Sequence, residues 1–296
     1  MFVFVCPIRH PASSNDYGSI LTFLNNTIES LNAQQTDRPF KIIVVCNEVP
    51  PAPETFNNTE FVAVDFPPPD MNKGAQVPLD LVKDDKGCKI SIGLLYAKRY
   101  SPDYVYVIDG DDWFNIDTIE HVYKSSASDL FYANSGYVVN LAEKTFLKKF
   151  GLCRYCGSVY IYSFAVLMKL SGLSHLEYRQ GLNKETIYEA VDSFFLKQIL
   201  GNHRHQLHTF RSKGLQVQEL LVPAVAWILN TGENHSAQNP GKYGLPLSKS
   251  FLTQFGIRSI EASEKPIGLN KRVKALLESL QSYIGWRSTD KKQTMI

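Results

Sequence analysis

A chain of 296 residues with 44% hydrophobic and 12% aromatic content can bury a large core, as one domain or as a domain with an appendage. A formal charge of +2 and a pI near 8.1 provide no concentrated basic face, so no nucleic-acid partner is expected. No stretch approaches the roughly 18 apolar residues of a membrane helix, the apolar start Met1 to Cys6 lacks a basic leader, and 5 cysteines are an odd number for a disulfide framework. A cytoplasmic protein with reduced thiols is expected.

Phe2 to Cys6 reads as a short buried strand, and Tyr17 to Asn32 as an amphipathic helix with Ile20, Leu21, Leu24, Ile28 and Leu31 at helical spacing. Lys41 to Cys46 and Phe61 to Asp65 give two further strands, and Pro67 to Pro69 opens a long loop reaching about Asp85. Lys86 to Tyr100 then reads as a helix feeding the apolar run Tyr104 to Ile108, a βαβ-type unit with a right-handed crossover. Farther on, Leu130 to Leu141, Gly157 to Tyr162 and Gln216 to Val222 read as strands, and Glu185 to Leu200 as an amphipathic helix with an acidic start. Thr231 to Gly244 is a loop dense in Gly, Asn and Pro. Asn270 to Trp286 is helical in pattern, with Lys271, Arg272 and Lys274 at one end. It suits packing on its own domain or peripheral contact with a membrane surface.

The chemistry concentrates at Tyr104 to Phe114, YVYVIDGDDWF, where an apolar strand ends in Asp109, Asp111 and Asp112. Ligand crevices of open α/β sheets lie outside the C-terminal ends of the strands, so the position and the residue types agree. Clustered carboxylates repel one another unless a cation neutralises them, and hard oxygen ligands favour Mg²⁺ or Mn²⁺. A solvated acidic turn would be followed by polar residues, but here Trp113 and Phe114 follow directly. Cys153 and Cys156 form a single CxxC near His203, His205 and His208, which lacks the paired spacing of a structural zinc site.

The succession of strand, helix, strand, strand, Lys-Gly helix and DxD-bearing strand, followed by an acidic helix start and a late His, resembles the GT-A glycosyltransferases, most closely family 2, over roughly Met1 to His235. The resemblance implies an α/β fold with a mixed, mostly parallel Rossmann-like sheet. It implies a catalytic domain over residues 1–240, divided into a nucleotide-binding half (1–112) and an acceptor-binding half (113–240), with a helical extension over 241–296. It further implies sugar transfer from a nucleotide-sugar donor, UDP-sugar by family habit, to a glycan or lipid-linked acceptor, with Mn²⁺ or Mg²⁺ on the diphosphate. On that pattern Asp111 is the direct metal ligand, Asp109 holds the ribose or a metal-bound water, Asp112 supports either role, and His235 adds a late ligand. Pro7, Arg9, Asn47 and Glu48 at the strand ends, with Lys86, Lys89 and Gly157, would meet the nucleotide-sugar. Asp192, or Glu189 one turn earlier, would be the base of an inverting reaction, although the family's Glu-Asp pair reads Val191-Asp192 here.

A sugar-nucleotide pyrophosphorylase would share the fold and the metal but should open with a Gly-rich, basic loop after the first strand, which PIRHPASSN from Pro7 lacks. Two other rivals stand beside the main reading. A haloacid dehalogenase-type phosphohydrolase also places DxD after a buried strand, but near the N-terminus and followed by Thr or Val. A non-catalytic relic that still binds sugar nucleotides is the other.

Overall fold

The structure is a computed structural model describing residues 1–51, 56–233, 244–263 and 268–293. In chain order the elements are β1 (Phe2–Pro7), α1 (Tyr17–Asn32), β2 (Phe40–Cys46), β3 (Thr59–Ala63), α2 (Leu79–Ala97), β4 (Tyr104–Val107) and β5 (Trp113–Phe114). There follow α3 (Thr118–Lys124), β6 (Leu130–Ala133), β7 (Ser135–Asn140), β8 (Thr145–Phe150), β9 (Tyr160–Ser163), α4 (Phe164–Ser171) and α5 (Lys184–Ala190). After a π-helical segment, Phe195–Leu200, come α6 (Gln206–Ser212), β10 (Val217–Leu220), β11 (Val225–Leu229), β12 (Leu245–Pro246), α7 (Lys249–Gln254) and α8 (Leu269–Gln293).

The strands form two sheets. The larger runs β10-β6-β9-β4-β1-β2-β3 and is parallel apart from β9, which lies antiparallel between β4 and β6. This is the mixed, mostly parallel α/β sheet expected. Central β1 has neighbours on both edges and cover on both faces, so Phe2 to Cys6 carries no polar side chain and is wholly buried. Val5 faces α2 at Gly93, while Phe4 on the alternate face makes edge contacts with Tyr106 and Phe114, centroids 5.9 and 5.3 Å apart.

The smaller sheet, β12-β8-β7-β11-β5, joins the larger one at the aspartate turn, since β4 precedes that turn and β5 follows it. Two-residue β5 pairs with β11 on one edge. On the other edge the Ser30 hydroxyl of α1 accepts from Phe114 N–H at 2.8 Å and donates to the Phe114 carbonyl at 2.9 Å. Trp113, Ala226 and Ile228 form a second core cluster with Phe251, Leu252 and Phe255, so residues beyond 240 contribute to this layer.

Several boundaries differ from expectation. The helix expected from Lys86 begins at Leu79, after Pro78, and its first turns leave Leu79 and Leu81 exposed, so no apolar stripe marks them. Leu130 to Leu141 is two strands in different sheets, parted at Asn134. The Asn134 side chain donates to Glu219 at 3.1 Å and accepts from Gly151 N–H at 3.1 Å. The helix expected over Glu185 to Leu200 breaks at Val191-Asp192, where the Asp192 carboxylate accepts from the N–H groups of Phe194 and Phe195 at 2.9 and 3.1 Å. Strand β11 was not expected at all.

The π-helical segment packs tightly along α2. A Cβ on Gly87 would overlap the Leu196 carbonyl oxygen, and one on Gly201 the Lys83 carbonyl oxygen. Because these obstacles are backbone atoms, Gly87→Ala is expected to cost about 2–3 kcal/mol and lower the melting temperature by about 5 °C, read by thermal denaturation.

Candidate active site

Parallel pairing of β1 with β4, from Phe2 opposite Tyr104 to Val5 opposite Val107, brings the two strand ends side by side. Pro7, Ile8 and Arg9 therefore meet Asp109, Gly110 and Asp111 at the floor of a cleft of about 470 Å³. The N-terminal half of α2 supplies Lys83, Lys86 and Lys89, and the segment after the π-helix supplies Asn202, His203 and Arg204. Arg154, Tyr155 and Gly157 form the facing wall, with Trp227, Thr231 and Glu233.

Lys86 forms an ion pair with Asp109, both side chains partly exposed to the cleft. Burial pulls the Lys86 ammonium down, but the attraction of Asp109 outweighs it and the net shift is upward. A Cβ on Gly157 would sit 3.3 Å from Asp109 Oδ2 and 3.5 Å from Lys86 Nζ, so glycine keeps this corner open. Asp111 has its carboxyl pushed up to about 7, first by desolvation and then by repulsion from Asp109.

His203 is expected to be neutral: burial and then nearby Lys86 lower it to about 4. Its Nε2 lies 3.2 Å from the Arg154 carbonyl, which accepts the ring proton and so joins two walls of the cleft. Arg9 pairs with Glu233 at 2.7 Å, and Glu233 also accepts from the N–H groups of Asn15 and Asp16 at 2.7 and 2.9 Å. Ser13 Oγ is buried against the cleft and has no hydrogen-bond partner among the described residues.

Of the expected site residues, Pro7, Arg9, Lys86, Lys89, Asp109, Asp111 and Gly157 line the cleft. Lys89 is nevertheless only 1% exposed, paired with Asp85 at 2.7 Å and donating to the Ile8 carbonyl at 2.8 Å. It holds the end of β1 in place and does not offer a charge to a ligand. Asp112 turns away from the cleft into the junction of the sheets, accepting from Ile228 N–H at 3.0 Å, with Cys156 Sγ 3.5 Å away. Desolvation, then Asp111 and Asp109, raise it well above the usual carboxylate range.

Asn47 donates to the carbonyls of Val64 and Phe66 at 3.2 and 2.8 Å, and neither it nor Glu48 lines the cleft. Asp192 and Glu189 are also absent from its walls. Glu189 belongs to α5, which ends at Ala190, whereas Asp192 caps the start of the π-helical segment, whose other end leads to the cleft through Gly201 to Arg204. His235 lies outside the described residues.

Arg154, His203, Arg204, Glu233 and Ser13 were not read as site residues from the sequence. His203 was noted only for its nearness to other histidines, and nothing in the spacing linked Arg154 to the cleft.

Asp109 and Asp111 are the residues that could hold a divalent cation such as Mg²⁺ or Mn²⁺. Both face the cleft as hard oxygen donors, and desolvation beside Asp109 disfavours the charge on Asp111, which a bound cation would stabilise. Among the described residues no cluster of three or more His, Cys, Asp or Glu forms an all-protein cage. Such ions commonly keep waters and substrate phosphates as their remaining ligands.

No family profile matches the sequence, and no curated protein does. Solved structures similar in layout include S. aureus TarS 1–349 in complex with UDP, at 14% identity over 77% of this chain and 60% of that one, with a TM-score of 0.44. HddC from Yersinia pseudotuberculosis complexed with GMP-PN is similar at 14% identity over 78% of this chain and 94% of that one, TM-score 0.37. A protein from Desulfovibrio desulfuricans G20 assigned as a nucleotide-diphospho-sugar transferase is similar at 9% identity over 80% and 82% of the two chains, TM-score 0.36. The chain thus spans about 60% of the length of TarS 1–349.

Proposed function

We propose that this chain is a GT-A glycosyltransferase, moving a sugar from a nucleoside diphosphate sugar, UDP-sugar in the first instance, to a hydroxyl of a glycan or lipid-linked acceptor. The observation that carries this reading is the pairing of two kinds of group across one cleft. Asp109 and Asp111 offer oxygen ligands, and Lys86, Arg9, Arg154 and Arg204 surround them with positive charge. A diphosphate bridged by a divalent cation needs both at once.

Asp111 and Asp109 would hold the Mg²⁺ or Mn²⁺, whose bound charge would stabilise the departing nucleoside diphosphate. Lys86 places its ammonium beside Asp109, where it would meet negative charge gathering on the leaving phosphate. Arg9 is held in direction by Glu233, so its guanidinium meets the ligand at little further cost in side-chain order. The Ser13 hydroxyl, without a partner among the described residues, would bond the ligand. The reading assigns no role to Asp192 or Glu189 in accepting the proton of the incoming hydroxyl, because neither lines the cleft.

Calorimetric titration of UDP and GDP, with Mn²⁺ and with chelator, tests the proposal. Metal-dependent binding of one nucleotide is the expected result. No binding of either under any metal condition overturns it and directs attention to phosphatase activity. Lys86→Met is expected to weaken that nucleoside diphosphate about 10- to 100-fold while affecting the bare nucleoside little, measured in the same titration.

A further inference from the structure

The last helix carries two stripes. Ala275, Ser279, Ser282 and Trp286 recur at helical spacing, and this face packs inward. Ala275 and Trp286 are buried, Ser282 Oγ accepts from Phe150 N–H at 3.1 Å, and Trp286 lies against Gly151. The second stripe, Leu269, Val273, Leu276, Leu280 and Ile284, lies well around the helix from the first and contacts solvent. Leu276 is 62% and Ile284 65% exposed, and the side chains between them widen the stripe into a continuous apolar face. Helices of globular domains bury their apolar stripe, whereas this one buries an alanine and a tryptophan, half-buries two serines and exposes its leucines.

Charge distinguishes among the surfaces that could cover it. Between Leu269 and Arg287 the helix carries Lys271, Arg272, Lys274 and Arg287 against the single anion Glu278, and exposed Lys148 adds a cation on the strand beneath. A second copy of the helix would bring like charges together, and the Val273, Leu276, Leu280 and Tyr283 spacing covers only two heptads before reaching Arg287. An anionic lipid surface suits both features, since the apolar stripe enters the headgroup boundary while the cations meet lipid phosphates.

We infer that α8 docks this protein on an anionic membrane surface through the Leu269 to Ile284 stripe. None of its described helices is long and apolar enough to cross a membrane, so the association is peripheral. The docked helix is tied to the cleft, because the Arg154 guanidinium stacks over the Trp286 ring at 4.5 Å and Arg154 also lines the cleft. The inference does not depend on what the cleft binds.

Vesicle flotation of the full chain provides the test, with phosphatidylcholine vesicles compared with vesicles containing phosphatidylglycerol. Binding to the anionic vesicles is expected. It should fall roughly a hundredfold in affinity in a Lys271→Glu, Arg272→Glu, Lys274→Glu variant, and to background in Leu276→Glu, Leu280→Glu. Circular dichroism and melting of both variants should match the parent, because the substituted side chains are exposed. Absence of binding, or binding indifferent to either set of substitutions, overturns the inference. So does concentration-dependent dimerisation in sedimentation that the Leu276→Glu, Leu280→Glu variant abolishes, which would assign the stripe to a second copy.

Discussion

Asp111→Asn is expected to reduce turnover, or metal-dependent nucleotide affinity where that is measured, by about 10²–10³-fold while making the metal-free protein more stable at neutral pH. The two effects share one cause. The folded protein raises Asp111 from an ordinary 3.8 to about 7 because the cleft floor desolvates it beside Asp109. Between those values the folded state holds a proton that the unfolded state has released, so stability falls as pH rises from about 4 towards 7, and the full penalty persists above that range. Asparagine keeps the shape and removes the charge, which flattens this part of the profile; Asp112, shifted the same way, leaves a residual slope. Thermal melts across pH 4 to 8 check the first half. In the parent, Mn²⁺ should raise the melting temperature more at pH 7.5 than at pH 5, since the ion stabilises the ionised form, and it should do little in the variant. An Asp111→Asn protein that binds nucleotide and metal like the parent would remove Asp111 from the proposed metal site.

Asp112 should give the opposite pattern. Its carboxyl is 1% exposed and supplies the acceptor used by Ile228 N–H in β11, so Asp112→Ala is expected to cost about 3 kcal/mol and lower the melting temperature by about 8 °C. Asp112→Asn keeps an acceptor in place without a buried charge and should cost less than about 1 kcal/mol. Activity of the asparagine variant should survive, because this side chain does not reach the cleft. Melting curves of the two variants, with nucleotide titration of the second, decide the matter. Severe loss of nucleotide binding in a well-folded Asp112→Asn protein would restore Asp112 to the site.

The central sheet was legible because the inner parts of β1, β2 and β4 are buried and read as apolar runs, Phe2 to Cys6, Ile42 to Cys46 and Tyr104 to Val107. The placement of Asp109 and Asp111 followed from the same pattern, since a parallel strand that ends in carboxylates has one end at which a ligand can sit. What failed was orientation. Sequence cannot show that Lys89, three residues after Lys86 on one helix, turns inward to Asp85 while Lys86 reaches Asp109. Nor can it show that adjacent Asp111 and Asp112 face a cleft and a core respectively. Asp192 looked catalytic because an acid at a helix start suits both a cap and a site; packing of its element along α2 decides which end meets the cleft. Arg154 and His203 were missed because they converge on the cleft from distant parts of the chain.

The two hydrogen bonds between Ser30 and Phe114 have a mechanical meaning. The segment from Ile108 to Asp112 is a short span between two piers, β4 in the larger sheet and β5 in the smaller, and Ser30 braces the second pier against α1. The distance between the carboxylates is therefore coupled to how far apart the two sheets stand and not only to the torsional preferences of a glycine-containing turn. Side chains that set that gap, among them Phe4, Tyr106 and Phe114 in mutual ring contact, act as the foundations of a site that none of them touches.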